Sequence, residues 1–347
     1  MQANLNERLH KANDYLHDNR ELRDTLGIDS GAVLEAHPLG QGEHNENYWF
    51  ANPATGEKHV LRINVVSQPF HKNQVAYEFE ALRVLAPCGR APQPLYVDSS
   101  KKLLDKSAMV ISFCEGQELD FDHLRDGDLD RCIELMADIH TVKIPSNCKL
   151  HRPEDSLSEL FCECMQRYRI YRESGFGVER ITRWAERYIE AARRKVEATR
   201  PHDPCHIVNT EALPSHFLIP SDAASPEPGF FIDWERPIIG EVAQDIAYFT
   251  SPTGTFWDSE YLMPKQQTDE LVERYWAAGQ GRLDRSGFDE RFDAWKSVTA
   301  LRSMMWCCKA LALRKANPNY HMTQKALEKV PIYLSDEFLE STWEDCF

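Results

Sequence analysis

The sequence predicts an α+β protein with two lobes: a small antiparallel sheet packed on one helix, followed by a mainly helical lobe. Strand-like apolar runs separated by Gly and Pro turns are concentrated before residue 116, whereas segments with a helical apolar period dominate after it. The chain has 347 residues, more than one typical domain contains. We therefore expect an N-terminal lobe at residues 1–115 and a C-terminal lobe at residues 116–347.

The first lobe begins with a polar helical region, one helix or two, at residues 3–27. The pattern then predicts strand, strand, helix, strand and strand. The predicted segments are 39–50 (two strands around a glycine turn), 59–65, 75–85 (the helix), 92–97 and 108–113. The helix is indicated by apolar residues at 75, 79, 82 and 85. Glu115-Gly116 is interpreted as a hinge.

The second lobe is predicted to be helical apart from one interruption. The predicted helices are 129–141, 157–171, 178–199, 242–249, 266–278, 287–316 and 322–330. The interruption, at residues 207–233, contains two short strand-like runs separated by a turn rich in Pro, Ser and Ala.

The formal net charge of −15 makes free nucleic acid an unsuitable partner, and no Lys/Arg cluster that would reverse the field is visible along the sequence. No apolar run approaches about 18 residues, so no membrane span is expected. The first residues lack a signal pattern, and the ten scattered cysteines contain no CxxC pair. These features predict a cytoplasmic protein with reduced, mostly buried thiols.

Two acidic segments stand about twenty residues apart. Glu211 begins a loop that leads into Phe217-Leu218-Ile219, and Asp233 ends the run Phe230-Phe231-Ile232. If these two runs pair as a hairpin, Glu211, His216 and Asp233 meet at one end. Converging carboxylates suit Mg²⁺, because hard cations prefer oxygen ligands.

The order of the parts resembles the aminoglycoside phosphotransferase and choline kinase superfamily, which has a protein-kinase-like fold. The likeness covers nearly the whole chain, and Asn209-Thr210-Glu211 resembles a divergent branch of it. Seven segments carry it together: Leu39-Gly40-Gln41-Gly42, Leu61-Arg62-Ile63-Asn64, Tyr77-Glu78-Phe79-Glu80-Ala81-Leu82, Phe113-Cys114-Glu115-Gly116, Ala137-Asp138-Ile139-His140, Ile232-Asp233-Trp234-Glu235 and Gln244-Asp245-Ile246-Ala247. The resemblance implies an ATP- or GTP-dependent phosphotransferase that acts on a small hydroxylated metabolite.

The resemblance implies a nucleotide site in the first lobe. Gly40 and Gly42 would form the loop over the phosphates, although an ordinary hairpin turn explains two glycines equally well. The hinge that contacts adenine through its backbone would lie at Ser112, Phe113 and Cys114.

Arg62 stands where this superfamily usually has a phosphate-binding lysine. Arginine keeps the positive charge but is longer and planar. Glu78 would be the partner of Arg62, the alternative being a solvated charge on a helix.

The catalytic loop departs from the usual pattern of His-x-Asp followed by Asn. Glu211 keeps the carboxylate that orients or deprotonates the acceptor hydroxyl, but its extra methylene moves the carboxylate by roughly 1.5 Å. A misplacement of about 1 Å can cost on the order of 10²-fold in rate. His216 replaces the metal-binding Asn, and its nitrogen suits Mn²⁺ better than Mg²⁺, unless it merely caps the loop.

Asp233 matches the metal-binding aspartate at the end of the strand. Asp245 resembles the aspartate that braces the catalytic loop, and His140 is expected to pack under that loop without a catalytic role.

Two alternatives to phosphoryl transfer stay open: a nucleotide-binding pseudokinase and a nucleotidyl transferase on the same fold. Neither the acceptor nor the oligomeric state is indicated by the sequence.

Overall fold

The structure is a computed structural model that describes residues 2–41, 45–65, 73–200 and 205–347. The chain divides into two compact units. Unit 1 consists of Met1–Gly116, Pro145–Leu150 and Phe230–Glu235, and unit 2 consists of Gln117–Ile144, His151–Gly229 and Arg236–Phe347. The first break lies at the predicted hinge dipeptide. The segment that carries Asp233 belongs to unit 1, which a division into two contiguous ranges does not anticipate.

Unit 1 is built on a five-stranded antiparallel sheet in the order β1-β2-β3-β5-β4. Its strands are β1 (His37–Gln41), β2 (Asn45–Ala51), β3 (Lys58–Asn64), β4 (Pro94–Asp98) and β5 (Ala108–Ser112). Strand β3 is central, and its residue Arg62 lies opposite Asn47 on β2 and Met109 on β5. The predicted strands and their antiparallel arrangement are confirmed.

Three helices complete unit 1: α1 (Gln2–Asp18), α2 (Arg20–Thr25) and α3 (Gln74–Leu85). Apolar residues of α1 and α2 join those of the sheet in one core that includes Tyr15, Leu16, Leu22, Phe50 and Leu61. Helix α3 packs on β4 and β5 and begins at an asparagine whose side chain accepts the N–H of residue 76. The helix predicted at residues 75–85 is therefore confirmed.

Unit 2 is mainly helical. Its helices are α4 (Asp128–His140), α5 (Ser156–Glu173), α6 (Glu179–Ala198), α7 (Val242–Thr250), α8 (Pro252–Asp258), α9 (Lys265–Gly279), α10 (Phe288–Ala316), α11 (Gln324–Tyr333) and α12 (Asp336–Cys346). Helix α10 is the centre of the unit and packs against α5, α6 and α7. Seventeen of its 29 residues are buried, as is typical of a helix covered on most sides.

Short strands position the loop that carries Glu211. Strand β7 (His206–Val208) pairs antiparallel with β10 (Ile238–Gly240), and β6 (Gln117–Glu118) pairs antiparallel with β8 (Phe217–Ile219). The remaining strand, β9 (Phe230–Phe231), belongs to unit 1. The loop between β7 and β8 is thus anchored at both ends within unit 2.

Helices α8 and α12 were not predicted, because both are short and lack a clear apolar period. Each nevertheless begins with a capping signal. The Ser251 hydroxyl accepts the N–H of Gly254, with a proline at the first helical position, and the Ser335 hydroxyl accepts the N–H of Phe338. No helix in the described ranges is long and apolar enough to cross a membrane.

Candidate active site

Arg62 is the centre of a cluster of charges in unit 1. Its Nη2 lies 2.9 Å from Oδ1 of Asp233 and 3.5 Å from Oε2 of Glu235. Its Nε lies 3.1 Å from Oε2 of Glu78, but the N–H is not directed at that oxygen, so this contact is an ion pair without a hydrogen bond. One guanidinium therefore faces three carboxylates, an arrangement for which the planar fork of arginine is suited.

Glu78 is the partner of Arg62 that the resemblance implies, and the contact is present. The Glu78 side chain is 3% exposed, which rules out a solvated charge on the surface of α3. Burial raises the pKa of Glu78 to about 8, and the carboxylates of Asp233 and Glu235 add to that rise against the opposite effect of Arg62. Burial opposes the charge of Arg62, yet the three carboxylates outweigh burial and raise the pKa of Arg62.

Asp233 has a left-handed backbone conformation, with φ of 61°. Aspartate tolerates this region better than most residues, although it is still unusual for a side chain to be held there. Asp233 lies two residues beyond the end of β9, and its carboxylate contacts Arg62. Such conformations are concentrated at functional sites.

Glu235, two residues further on, was not among the predicted site residues. Its Oε2 accepts the side-chain N–H of Asn45 at 3.1 Å, and its backbone carbonyl accepts the side-chain N–H of Gln74 at 2.6 Å. These contacts join β2 and the start of α3 to the segment that carries Asp233. The signal available in the sequence was a second acid two residues after Asp233, in Asp233-Trp234-Glu235.

The predicted hinge has one residue whose backbone is available. The N–H of Ser112 and the N–H of Phe113 are both used by backbone carbonyls of unit 1. By contrast, the backbone N–H and C=O of Cys114 have no hydrogen-bond partner within the described residues. Burial raises the pKa of the Cys114 thiol to about 12, so the thiol is neutral at physiological pH.

The glycine loop is only partly described. Gly40 lies on β1 next to an irregularity in the pairing with β2, opposite Asn47. Gly42 lies outside the described residues. The assignment of Gly40 and Gly42 to a phosphate-binding loop stays a prediction.

A buried aspartate binds the backbone of the loop that begins with Asn209 in unit 2. Asp245 is fully buried, and its two carboxylate oxygens accept the backbone N–H groups of Asn209 and Thr210, each at 2.7 Å. The same carboxylate lies 3.2 Å from Nε2 of His140, whose Nδ1 meets the hydroxyl of Tyr275 at 2.8 Å. The expected bracing role of Asp245 is therefore observed, with His140 beneath it.

Thr210 occupies a strained conformation within this loop. Its φ is 74°, a region that a β-branched residue rarely adopts and that costs about 1–3 kcal/mol. Its carbonyl accepts Nη1 of Arg302 at 2.7 Å, and its hydroxyl donates to the carbonyl of Arg236 at 3.1 Å. The surrounding contacts thus hold the residue before Glu211 in a conformation that the chain alone would not prefer.

The carboxylate of Glu211 is bound by two arginines. Its Oε1 accepts Nη2 of Arg302 and lies 3.3 Å from Nη1 of Arg236. Arg302 comes from the buried face of α10, where its side chain is 7% exposed, and its guanidinium also lies over the ring of Tyr248. Both arginines favour the ionised form of the carboxylate. Neither was predicted as a site residue.

His216 supports the same loop from its other side. Its Nδ1 lies 2.8 Å from the backbone carbonyl of Glu211. A carbonyl can only accept, so Nδ1 carries the proton, and in the neutral ring the lone pair is on Nε2. This is the tautomer that a metal-binding histidine needs, although the contact also satisfies the alternative role of a loop cap.

The residues of unit 1 fit a divalent cation in their donor chemistry. Glu78, Asp233 and Glu235 place three carboxyl groups around the single positive charge of Arg62, and their oxygens are the kind of donor that Mg²⁺ prefers. Across the described residues, no three His, Cys, Asp or Glu side chains form a ready-made metal site.

Comparison with known proteins identifies the family. Residues 35–291, which are 257 of the 347, match the model of the phosphotransferase enzyme family APH. The chain belongs to this family. No curated protein sequence matches the chain significantly.

Solved structures of this superfamily share the fold. A Ralstonia eutropha protein assigned to the aminoglycoside phosphotransferases has a TM-score of 0.66 at 13% identity, over 94% of this chain and 97% of its own. A spectinomycin phosphotransferase in complex with ADP and spectinomycin has a TM-score of 0.59 at 12% identity, over 94% and 98%. A choline kinase from Cryptosporidium parvum has a TM-score of 0.59 at 14% identity, over 90% of each chain. The protein-kinase-like fold predicted from the sequence is confirmed.

Proposed function

We propose that this protein transfers the γ-phosphoryl group of ATP or GTP to a hydroxyl group of a small metabolite. The observation that carries the proposal is the contact of Arg62 with Glu78 on one side and Asp233 on the other. A cation paired with a helix glutamate and placed beside a metal-binding aspartate is the arrangement that phosphoryl transfer in kinase-like proteins requires. Family membership and the ADP bound to the spectinomycin phosphotransferase support it.

The nucleotide would bind to unit 1. The backbone N–H and C=O of Cys114 would pair with the base, since they have no partner within the described residues. Ser112 would only hold the hinge in position at the end of β5. Its N–H already donates to the Gln93 carbonyl, and its hydroxyl oxygen already accepts the Gln93 N–H. Arg62 would bind the phosphates, and Gly40 and Gly42 would cover them.

Mg²⁺, or Mn²⁺, would enter with the nucleotide and neutralise charge that develops on the phosphates. Within unit 1, Asp233 and Glu235 would supply carboxylate oxygens. For His216, in unit 2, the role of metal ligand stays a prediction. Glu78 would stay with Arg62 and hold its guanidinium in place.

Glu211 would orient the acceptor hydroxyl. In the transfer, the hydroxyl oxygen forms a bond to the γ-phosphorus, the bond from that phosphorus to the β,γ-bridging oxygen breaks, and the hydroxyl proton passes to Glu211 and then to water. Arg302 and Arg236 favour an ionised carboxylate, which suits orientation better than early proton removal. Positioning and electrostatics account for most of such catalysis, so this role is sufficient.

A second candidate function, nucleotide binding without transfer, is favoured by the same two arginines. Arg302 and Arg236 both contact Oε1 of Glu211, an oxygen of the carboxylate that should meet the acceptor hydroxyl. Nucleotidyl transfer on the same fold is the third candidate. The ten scattered cysteines, which include no CxxC pair, favour a reducing, cytoplasmic setting for any of the three.

Two measurements separate these candidates. Thermal unfolding with ATP or GTP, with and without Mg²⁺ or Mn²⁺, should show stabilisation by the nucleotide with metal. Incubation with a metabolite extract and ATP labelled at the γ- or the α-phosphate should then label a product from γ only. Binding without any labelled product would support the pseudokinase, label from α would support nucleotidyl transfer, and no nucleotide binding would contradict all three.

A further inference from the structure

Glu211 belongs to a chain of alternating charges that begins and ends with arginine. Arg167 contacts Glu163, Glu163 lies 3.4 Å from Arg236, Arg236 lies 3.3 Å from Glu211, and Glu211 contacts Arg302. All five side chains belong to unit 2 and are less than a third exposed. Three positive charges therefore face two negative charges.

Lys309 adds a fourth positive charge to this group. It follows Arg302 by seven residues on α10, which places both on one face of the helix, and it is half-buried. Within the described residues it has no hydrogen-bond or ion-pair partner. Burial lowers the pKa of Lys309, and the charges of Arg167 and Arg236 lower it further against the effect of Glu163.

An aromatic surface lies between the two cations of α10. Trp306 stands between Arg302 and Lys309 in the helical sequence, and its ring packs edge-to-face on Trp257 with centroids 5.6 Å apart. Both tryptophans are partly exposed. Aromatic faces attract cations, but the positive charges on either side of Trp306 oppose a cationic ligand here.

We infer that the cationic group formed by Arg167, Arg236, Arg302 and Lys309 binds an oxyanion, and that the acceptor is therefore acidic. The inference rests on the proposed function, in which the acceptor hydroxyl meets Glu211. The acceptor would carry a carboxylate or phosphate group, held by this cationic group, in addition to its hydroxyl. Arginine forks bind either group in bidentate fashion.

The charge balance decides between acidic and basic acceptors. Four cations and two carboxylates leave two uncompensated positive charges beside Glu211, although the whole chain carries −15. An excess of positive charge on so acidic a chain concentrates anions and repels cations. Choline carries a fixed positive charge, and an acceptor of that type would require carboxylates or an uninterrupted aromatic cage at this place.

Chemical labelling of Lys309 tests the oxyanion site directly. The full-length protein, without nucleotide, is treated with acetic anhydride at constant ionic strength, and acetylation of each lysine is followed by peptide mass spectrometry. Inorganic phosphate and malonate should slow acetylation of Lys309 about tenfold, whereas choline should not. Lys329, whose pKa is also lowered by burial but which faces acidic residues, is the internal control and should be unaffected.

Matched variants assign the effect to the named residues. Arg167→Met and Arg236→Met should each raise the phosphate concentration that half-protects Lys309 about tenfold or more, since each removes a charge-assisted contact. Arg193→Met, on the exposed face of α6, makes the same chemical change and should have no effect. Lys309→Met removes an unpaired side chain, so it should fold normally and lose the thermal stabilisation by phosphate. Equal acetylation of Lys309 with and without anions, or equal protection by choline, would overturn the inference.

The failure of this inference can be told from failure of the proposed function. A metabolite extract is separated into anionic, neutral and cationic fractions, and each is incubated with γ-labelled ATP. Label in the anionic fraction is expected. Label in the neutral or cationic fraction would overturn the acidic acceptor but leave the phosphotransferase. Protection of Lys309 without label in any fraction would keep the oxyanion site and contradict the proposed function.

Discussion

At the scale of single residues, Arg62 meets three carboxyl groups with one planar group. Its guanidinium contacts Glu78 through Nε and contacts Asp233 and Glu235 through Nη2. A lysine ammonium is a compact charge on a flexible stem and would lose part of this geometry.

The stability of unit 1 should depend on this cluster. Arg62→Met leaves buried carboxylates without a counter-charge and should lower the free energy of unfolding by about 3–5 kcal/mol. Arg62→Met combined with Glu78→Met should be less harmful than Arg62→Met alone, because the most buried unpaired carboxylate is removed as well. Urea unfolding measures both. Arg83 is an exposed arginine on α3, and the free energy of unfolding of Arg83→Met should stay within about 0.5 kcal/mol of wild type. If Arg62→Met and Arg83→Met lost similar amounts of stability, the cluster around Arg62 would not be structural.

The buried side chain of His59 predicts that the stability of the folded protein depends on pH. The side chain is 3% exposed, neither ring nitrogen has a hydrogen-bond partner within the described residues, and burial lowers its pKa from the ordinary 6.5. The neutral ring is thus favoured in the folded state. Its contribution to stability is present above pH 6.5 and is lost as the pH falls through the lowered pKa.

The measurement is urea unfolding at pH 7 and pH 5 of wild type and His59→Phe. The ring of His59 packs at 5.4 Å from that of Phe50, so phenylalanine should be accepted. Wild type should lose more stability on acidification than the variant, by up to about 1.4 kcal/mol per pH unit. Equal losses of unfolding free energy in the two proteins would mean that His59 does not cause the loss of stability at acid pH.

At the scale of elements, the catalytic loop is held by contacts rather than by local preference. Asp245 on α7 accepts two consecutive backbone N–H groups, and the positive φ of Thr210 persists because neighbouring side chains fix it. The fold therefore stores strain next to Glu211 and offsets it through α7 and α10.

Asp245→Asn should loosen this loop. The amide keeps one acceptor oxygen, so one of the two backbone N–H groups loses its partner, which should cost about 1–3 kcal/mol. Hydrogen exchange at Asn209 and Thr210 should become faster, while exchange in β5 stays unchanged. Asp222→Asn, in an exposed turn where its carboxylate accepts one N–H, is the matched control and should change stability only slightly. Unchanged protection at Asn209 in the Asp245 variant would refute the bracing role.

Most elements follow from the sequence, because their signals are local. The apolar residues at 75, 79, 82 and 85 predict α3, and the runs at 59–65 and 108–113 predict the two central strands of the sheet. Asp233 and Glu78 were predicted from a resemblance in spacing. Helices α8 and α12 were not predicted, since both are short and their signals are confined to the first turn, where each has a capping serine.

At the scale of the whole molecule, the charge pattern depends on contacts between distant parts of the chain. The sequence shows no basic cluster and a net charge of −15. In the structure, Arg167 on α5, Arg236 before β10 and Arg302 on α10 nevertheless belong to one group of charges with Glu163 and Glu211. No local pattern could reveal that these three arginines come together, since any two of them are more than sixty residues apart in the sequence. Each arginine by itself is indistinguishable from an ordinary charged residue of a helix or loop.

Glu211 belongs to unit 2 and Asp233 to unit 1, so their joint action stays a prediction that only function can test. The two residues should also differ in what their loss does. Asp233→Asn should weaken metal-dependent nucleotide binding, because it removes a carboxylate from the metal site. Glu211→Gln should leave that binding intact, because the amide keeps the shape of the loop but no longer carries the charge that orients the acceptor.

The most direct test is the transfer of γ-labelled phosphate from ATP in the Glu211→Gln variant, with nucleotide binding measured in the same preparation and Glu270→Gln on the exposed face of α9 as control. Binding should stay within about threefold of wild type, and labelled product should fall on the order of 10²-fold or more. The control should match wild type in both. Wild-type amounts of product from the Glu211 variant would contradict the assignment of Glu211, and with it the mechanism proposed for this site.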